Sequence, residues 1–145
     1  MIREKIVALI QLIYVSSAIE ELNDEQLDRI LESSVRHNQP QSVTGMLLYA
    51  RGNFMQVIEG EEAAINETYH RICQDPRHHN IFLLSREPIA KREFSTWSMA
   101  YHRLTQQDAE AHPAYAPYFI NGFSAPEISA RPGLAAEMLK QFSKI

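Results

Sequence analysis

Residues 44–60 constrain this chain more than any other stretch. They read Thr44-Gly-Met-Leu-Leu-Tyr-Ala-Arg-Gly-Asn-Phe-Met-Gln-Val-Ile-Glu-Gly60, with apolar runs at 43–49 and 54–58 flanking Ala50, Arg51, Gly52 and Asn53. A short polar break containing glycine between two such runs predicts a β-hairpin. Nearly every position of both runs is apolar, so both faces of the sheet are expected to be covered. Gln56 is the exception. It shares a face with Phe54 and Ile58, because side chains alternate along a strand. A buried amide carries two donor hydrogens and two lone pairs, and leaving them unmet costs on the order of a few kcal/mol. Gln56 is therefore either a satisfied core residue or a group held against a polar ligand.

The rest of the chain supplies elements around this hairpin. Residues 6–15 are rich in β-branched side chains and predict a buried strand, with Ile6, Ala8, Ile10, Leu12 and Tyr14 on one face. Asn23 followed by Gln26 forms a capping signature for a helix that runs to about His37 and ends at Pro40. Leu27, Ile30, Leu31 and Val35 give that helix its apolar stripe. Ile30, Ser34 and Asn38 stack four apart along a line that turns from apolar to polar. A second helix is expected over 61–74, buried through Ile65, Tyr69 and Ile72 and stopped by Pro76. Strands are expected at 81–84 and 94–101, the latter with Trp97, Met99 and Tyr101 on one face.

The order β-α-β-β-α-β plus one strand is the split βαβ pattern. It predicts an α+β, ferredoxin-like sheet with an added fifth strand and both helices on one side. In that topology the first and third strands are central, adjacent and antiparallel. Tyr14 then approaches the start of the third strand, where Gln56 lies. Residues 105–145 are punctuated by Pro113, Pro117, Pro126 and Pro132 and carry one amphipathic helix at 134–142. A core domain over 1–103 with a helical extension over 104–145 is expected. The extension is suited to covering the remaining sheet face or to mediating association.

Bulk properties narrow the function classes. At 145 residues the chain suits one domain with a real core. A net charge of −4 argues against nucleic-acid binding by phosphate neutralisation. The single cysteine, Cys73, excludes an internal disulfide and a thiolate metal cluster. The apolar run at 6–15 is too short to span a bilayer, and no small-residue cleavage pattern follows it, so a cytoplasmic protein without a membrane segment is expected.

No enzyme signature stands out. His78 and His79 on a predicted loop lack a carboxylate pair at ligand spacing, so no metal site is expected. The chain has no Gly-rich phosphate loop, nucleophile elbow or Cys-His arrangement. Arg71, Arg77, Arg86, Lys91 and Arg92 make a basic stretch that can serve an anion, although Arg71 can also simply pair with Asp75 four residues on. The residues thus reach a pocket between two helices, floored by Tyr14 and Gln56 and flanked by Asn38, with cations at one end. A planar, hydrogen-bonding, phosphate-bearing ligand fits that description.

Several segments together resemble the BLUF family of blue-light sensors using FAD. They are Leu12-Ile-Tyr14-Val-Ser16, Ser34-Val-Arg-His-Asn38, Val43-Thr-Gly45-Met-Leu-Leu-Tyr49, Asn53-Phe-Met-Gln56-Val-Ile-Glu-Gly60, Asp75-Pro-Arg-His-His79 and Phe94-Ser-Thr-Trp97-Ser-Met99. The resemblance runs from about Leu12 to Tyr101 and is to the short, stand-alone type. It implies FAD as cofactor and Tyr14 with Gln56 as the photochemical pair. It implies Asn38 on the flavin ring edge, Ile30 and Ile72 on either side of the ring, and Ser34 and His37 among the contacts. Arg71, Asp75 and His78 are expected toward the ribityl-phosphate end. Trp97 and Met99 are expected to report the state of Gln56 to the extension. The chain departs from the family where Ser42 and Val43 replace a frequent Gly-Ile pair, and where His37 replaces a frequent Asn; both bear on tuning more than on binding.

The resemblance further implies a non-enzymatic sensor that forms homo-oligomers and can meet a response-regulator-like partner. The rival expectations are a non-photoactive ligand-binding or interaction module on the same fold, and a flavin-dependent oxidoreductase.

Overall fold

The structure, a computed structural model, describes residues 8–95, 100–120, 128–131 and 133–143. Among these residues one sheet contains β1 (Leu9–Ala18), β2 (Thr44–Ala50), β3 (Asn53–Glu61), β4 (His78–Ile89) and β5 (Ala100–Arg103), in the order β4-β1-β3-β2-β5. Helix α1 (Asp24–Asn38) joins β1 to β2, and α2 (Glu62–Gln74) joins β3 to β4. Short helices α3 (Gln106–Ala111) and α4 (Ala116–Ile120) follow β5, and α5 (Leu134–Ser143) ends the described chain. β1 runs antiparallel to both β3 and β4, which is the expected ferredoxin-like core. β5 is added parallel to β2.

Local chemistry explains the elements that hold the site. The hairpin closes with Ala50 opposite Asn53, leaving Arg51 (φ 46°) and Gly52 (φ 79°) as a two-residue turn. Positive φ at both central positions gives the turn the twist of its flanking strands. At the start of α1 the Asn23 side chain accepts from the Gln26 N–H at 2.9 Å, and Gln26 Oε1 accepts from the Asn23 N–H at 3.0 Å. That reciprocal cap satisfies donors the first helical turn cannot.

Strand alternation sorts the core onto two faces. Ile10, Leu12, Tyr14, Leu47, Tyr49, Phe54 and Ile58 face α1 and α2, packing with Leu27 and Ile65. Ile13, Val15, Met46, Leu48, Met55 and Val57 face the other way, onto Leu134, Met138, Leu139 and Phe142 of α5. The extension therefore covers the second sheet face, as the apolar hairpin requires.

Several boundaries differ from the sequence reading, for physical reasons. β1 continues through Ser16 and Ser17 because the ladder to Phe54 and Asn53 continues beneath their hydroxyls. Ile6 and Val7, expected to open that strand, lie outside the described residues. β4 extends far beyond 81–84 and takes in His78 and His79, which were expected on a loop. As an edge strand paired along β1 it needs no apolar alternation to persist.

The fifth strand was expected over 94–101. Phe94 instead precedes the strand, its N–H donated to the Glu59 side chain rather than to a ladder. Trp97 and Met99 lie outside the described residues. On α1, Leu27 is fully buried, but Ile30, Leu31 and Val35 are only partly covered. On α2, Tyr69 and Ile72 are likewise half-buried, and Thr68 is buried beside Ile65. Of these half-covered side chains, Ile30 and Ile72 border a cleft.

Candidate functional site

The cleft lies between α1 and α2, over the centre of the sheet. Its floor follows from register: Tyr14 of β1 sits directly opposite Gln56 of β3. Both are almost wholly buried, at 3% and 4% exposure. The Tyr14 hydroxyl donates to Gln56 Oε1. That bond fixes which end of the amide meets the phenol. Burial pushes the Tyr14 hydroxyl far above the ordinary range, and Tyr69, Cys73 and Asp75 act in the same direction. Tyr14 is thus a neutral donor throughout the physiological range.

Neighbouring rings pack around that phenol. Tyr69 lies 5.9 Å away and His78 6.3 Å away, centroid to centroid. Burial, then Cys73, pushes the Tyr69 hydroxyl up to about 12. His78 ties three elements together: its Nε2 is 2.6 Å from the Ile72 carbonyl oxygen and its Nδ1 is 2.8 Å from Ser16 Oγ. A carbonyl can only accept, so Nε2 carries the hydrogen and Nδ1 accepts from the Ser16 hydroxyl.

Two adjoining cavities make up the cleft. The inner one is lined by Tyr14, Ile30, Ser34, Leu47, Phe54, Gln56, Ile72, Asp75, Arg77 and His78. The outer one shares Ser34, Gln56, Ile72, Asp75 and Arg77 and adds His37, Asn38 and Arg71 among others. Apolar walls with a few convergent polar groups are the usual make-up of small-molecule sites. Asn38 is 2% exposed, and Arg71 Nη2 reaches its Oδ1 at 3.4 Å. His37 Nδ1 is 2.8 Å from the Ser33 carbonyl oxygen, one turn back along α1.

All ten side chains expected to contact a cofactor (Tyr14, Ile30, Ser34, His37, Asn38, Gln56, Arg71, Ile72, Asp75 and His78) therefore border this cleft. The alternative pairing of Arg71 with Asp75 gives way to another. Asp75 is held by Arg77, whose backbone N–H and Nε both donate at 2.9 Å. Burial alone would raise the Asp75 carboxyl, but the hydrogen bonds and charge of Arg77, with His78, hold it below the usual carboxylate range.

The expected basic end is also smaller than its sequence suggests. Arg86 is spent on Asn66 and Glu62, and Arg92 on Thr44 and the Glu59 carbonyl. Arg71 and Arg77 are the members of that group that line the cleft. The sequence reading missed Leu47 as a lining residue, although it faces Gln56 across the β2–β3 ladder. It also missed Ser16, two residues along the same strand face from Tyr14. Among the described residues, no group of three His, Cys, Asp or Glu is placed to hold a metal ion. No helix among them is long and apolar enough to cross a membrane.

Comparison with known proteins adds a family. A family model described as "BLUF: Sensors of blue-light using FAD" matches residues 9–100. Photoactivated adenylate cyclase subunit beta of Euglena gracilis is 36% identical over 92 residues, covering 63% of this chain and 11% of that protein. The blue light- and temperature-regulated antirepressor BluF of Escherichia coli is 34% identical over 91 residues, covering 63% of this chain and 23% of that protein. The chain thus spans only about a tenth of the first curated relatives it matches. Among solved structures, the dark state of BlrB, a BLUF protein, aligns with a TM-score of 0.65 and 31% identity over 86% of this chain and 97% of that one. BlsA in its photo-activated state aligns with a TM-score of 0.65 and 27% identity over 79% of each chain.

Proposed function

We propose that this chain, which belongs to the BLUF family of blue-light sensors using FAD, holds its flavin in the cleft between α1 and α2 and registers light as an altered hydrogen-bond pattern at Gln56. The observation that carries the reading is the buried Tyr14–Gln56 pair, joined across the two central strands at the cleft floor. The donor set suits the cofactor. Ile30 and Ile72 offer apolar walls for a planar ring, and the carboxamides of Asn38 and Gln56 can both donate and accept at its polar edge. Arg71 and Arg77 supply cations toward the open end, His37 adds a polar ring there, and Asp75, neutralised by Arg77, can meet ribityl hydroxyls. Ser34 and His78 complete the lining.

Bound FAD supplies blue-light absorption and, once excited, a strong oxidant beside these side chains. Tyr14 would be the electron donor to that oxidant, and its existing hydrogen bond would carry the proton toward Gln56 Oε1. Gln56 is suited to that proton because its two ends differ: rotation or tautomerisation exchanges donor for acceptor. With the electron and proton returned to Tyr14, the amide would be left turned. The stored signal is that changed orientation, and its reach is set by how differently the two packings bind their neighbours. The output is a change in protein contacts rather than turnover of a substrate.

The light-sensing unit in this reading is 1–103, and 104–145 is the extension that responds. Trp97 or Met99 carries the change between them. Homo-oligomers and a response-regulator-like protein are the partners assigned to this output, in the cytoplasm.

Absorption spectroscopy of the FAD-loaded protein tests the reading. Blue light should move the flavin band to longer wavelength, with recovery in the dark. Gln56→Leu and Tyr14→Phe should each keep the flavin and lose the shift. A Gln56→Leu protein that photocycles like wild type removes the amide from the mechanism.

A further inference from the structure

The β1–β3 ladder carries a second buried side-chain pair, three residues from the first. Tyr14 faces Gln56, and Gln11 faces Glu59. A three-residue step along a strand reverses the face, so Gln11 and Glu59 lie on the α5 side of the sheet while Tyr14 and Gln56 lie on the cleft side. Glu59 is 0% exposed. A buried carboxylate must be met by donors, and those that meet Glu59 come from separate elements. Gln11 Nε2 donates to Oε2 at 2.8 Å. The backbone N–H of Glu93 reaches Oε1 at 2.9 Å and Oε2 at 3.2 Å, and that of Phe94 reaches Oε1 at 2.7 Å.

The segment held this way precedes β5 in the chain. It is fixed from the other side as well, because Arg92 Nη1 donates to the Glu59 carbonyl oxygen at 2.9 Å and to Thr44 Oγ1 at 2.8 Å. Glu93 then turns its own carboxylate to Lys140 of α5, at 3.2 Å. Phe94 is buried in the same apolar cluster as Leu134, Met138, Leu139 and Phe142 of α5. A continuous polar path therefore runs from β3, through the backbone of residues 92–94, to the last helix.

We infer that Glu59 is a positioning residue for the output: it clamps the segment before β5 to the strand that carries Gln56, and Glu93 with Lys140 passes that connection to α5. The inference rests on the proposed photochemistry of Gln56 and adds the route by which a change at the cleft crosses the sheet. An acceptor with two oxygens suits this role because it holds several donors at once, so a small displacement of β3 shifts the donors with it. Leucine at this position keeps much of the volume but offers no acceptor to the Glu93 and Phe94 N–H groups, which breaks the clamp.

Hydrogen–deuterium exchange on the full chain, loaded with FAD and compared in darkness and under blue light, tests this. Wild type should show light-dependent exchange at 92–95 and at 134–143. Glu59→Leu should keep the flavin absorbance shift but lose the light-dependent difference at 134–143. Lys140→Met should keep the difference at 92–95 and lose it at 134–143, and it decides the matter if Glu59→Leu fails to fold. In darkness and without flavin, Glu59→Leu should exchange the amides of Glu93 and Phe94 roughly ten-fold faster, as expected for loss of their hydrogen-bond acceptor.

A shifting wild type whose 134–143 segment ignores light overturns the inference. So does a Glu59→Leu or Lys140→Met protein that still transmits to 134–143 in full. A wild type with no absorbance shift overturns the photochemical reading itself, and the Glu59 route falls with it.

Discussion

Gly45 offers the most quantitative test of how the site strand is held. It lies on β2 opposite Ile58 of β3. A methyl group there would sit 2.0 Å from the Val57 carbonyl oxygen, 3.0 Å from its carbonyl carbon and 3.2 Å from the Ile58 Cα. All three are backbone atoms of the strand that carries Gln56, so no side chain can swing aside to make room. Two effects oppose each other in Gly45→Ala. Replacing glycine in a strand gains about 0.5–1 kcal/mol of backbone entropy. Overpacking costs about 1–3 kcal/mol, and prising the ladder apart loses hydrogen bonds worth about 1 kcal/mol each.

With two such bonds lost, the net destabilisation is about 3 kcal/mol, which corresponds to a fall in Tm of roughly 6–12 °C for a protein of this size. Gly60→Ala is the internal control. Its added methyl meets Ile65 Cδ1 at 3.4 Å and the Ser42 oxygen and Val43 Cγ2 at 3.5 Å, which is ordinary contact. Urea unfolding at constant slope measures both. Gly60→Ala should stay within about 1 kcal/mol of wild type. Equal midpoints for the two variants would refute the claim that β2 and β3 are in backbone contact at Gly45.

Other variants probe the surroundings of the cleft and the extension. Among the described residues, the buried Thr68 hydroxyl has no hydrogen-bond partner, so Thr68→Val should raise stability by about 1 kcal/mol in urea unfolding, and a loss of that size contradicts the assignment. Phe142 is 1% exposed and packs against the rings of His102 and His112 at 5.2 Å each; Phe142→Ala should cost about 3–5 kcal/mol by the same measurement. The Asp75 carboxyl is held below its ordinary value by Arg77 against the opposing effect of burial. Its contribution is therefore complete above the unfolded value and disappears as pH falls through the folded one. The stability difference between wild type and Asp75→Asn should accordingly shrink in acid below about pH 4; a difference that grows there reverses the sign of the argument.

The parts of the fold legible in the sequence are those where one local rule acts alone. Two apolar runs around Arg51 and Gly52 define the hairpin, and Asn23 with Gln26 marks the start of α1. The Tyr14–Gln56 pairing followed from strand order, because a split βαβ topology places the first and third strands side by side. What stayed hidden depends on a partner far along the chain. Helix spacing offered Arg71 as a partner for Asp75 and gave no sign of Arg77; the turn after α2 brings the Arg77 N–H and guanidinium to that carboxylate. Phe94 looked like strand because it is apolar, yet its N–H belongs to Glu59. Glu59 itself is followed by Gly60, Glu61 and Glu62, so nothing local singles it out. Its burial is set by β4–β5 chain and by α5, neither of which is near it in sequence.

A strand is the element best suited to the work assigned to β3. Gln56 and Glu59 are three residues apart, a spacing that in a helix would place both side chains on one face. In a strand the same spacing sends them to opposite faces, roughly 10 Å apart along the chain. β3 thus has one polar group in the cleft layer and another in the α5 layer, each hydrogen-bonded to β1. Because β1 and β3 lie inside the sheet, with β4 and β2 outside them, neither strand can shift without disturbing both layers. Among the described residues, the apolar side chains of α1 and α2 pack in the cleft layer and those of α5 in the other. The polar exceptions in an otherwise apolar pair of strands are therefore where the proposed ligand chemistry and output meet, and moving Glu59 by one residue would leave the cleft intact while placing its carboxylate on the wrong side of the sheet.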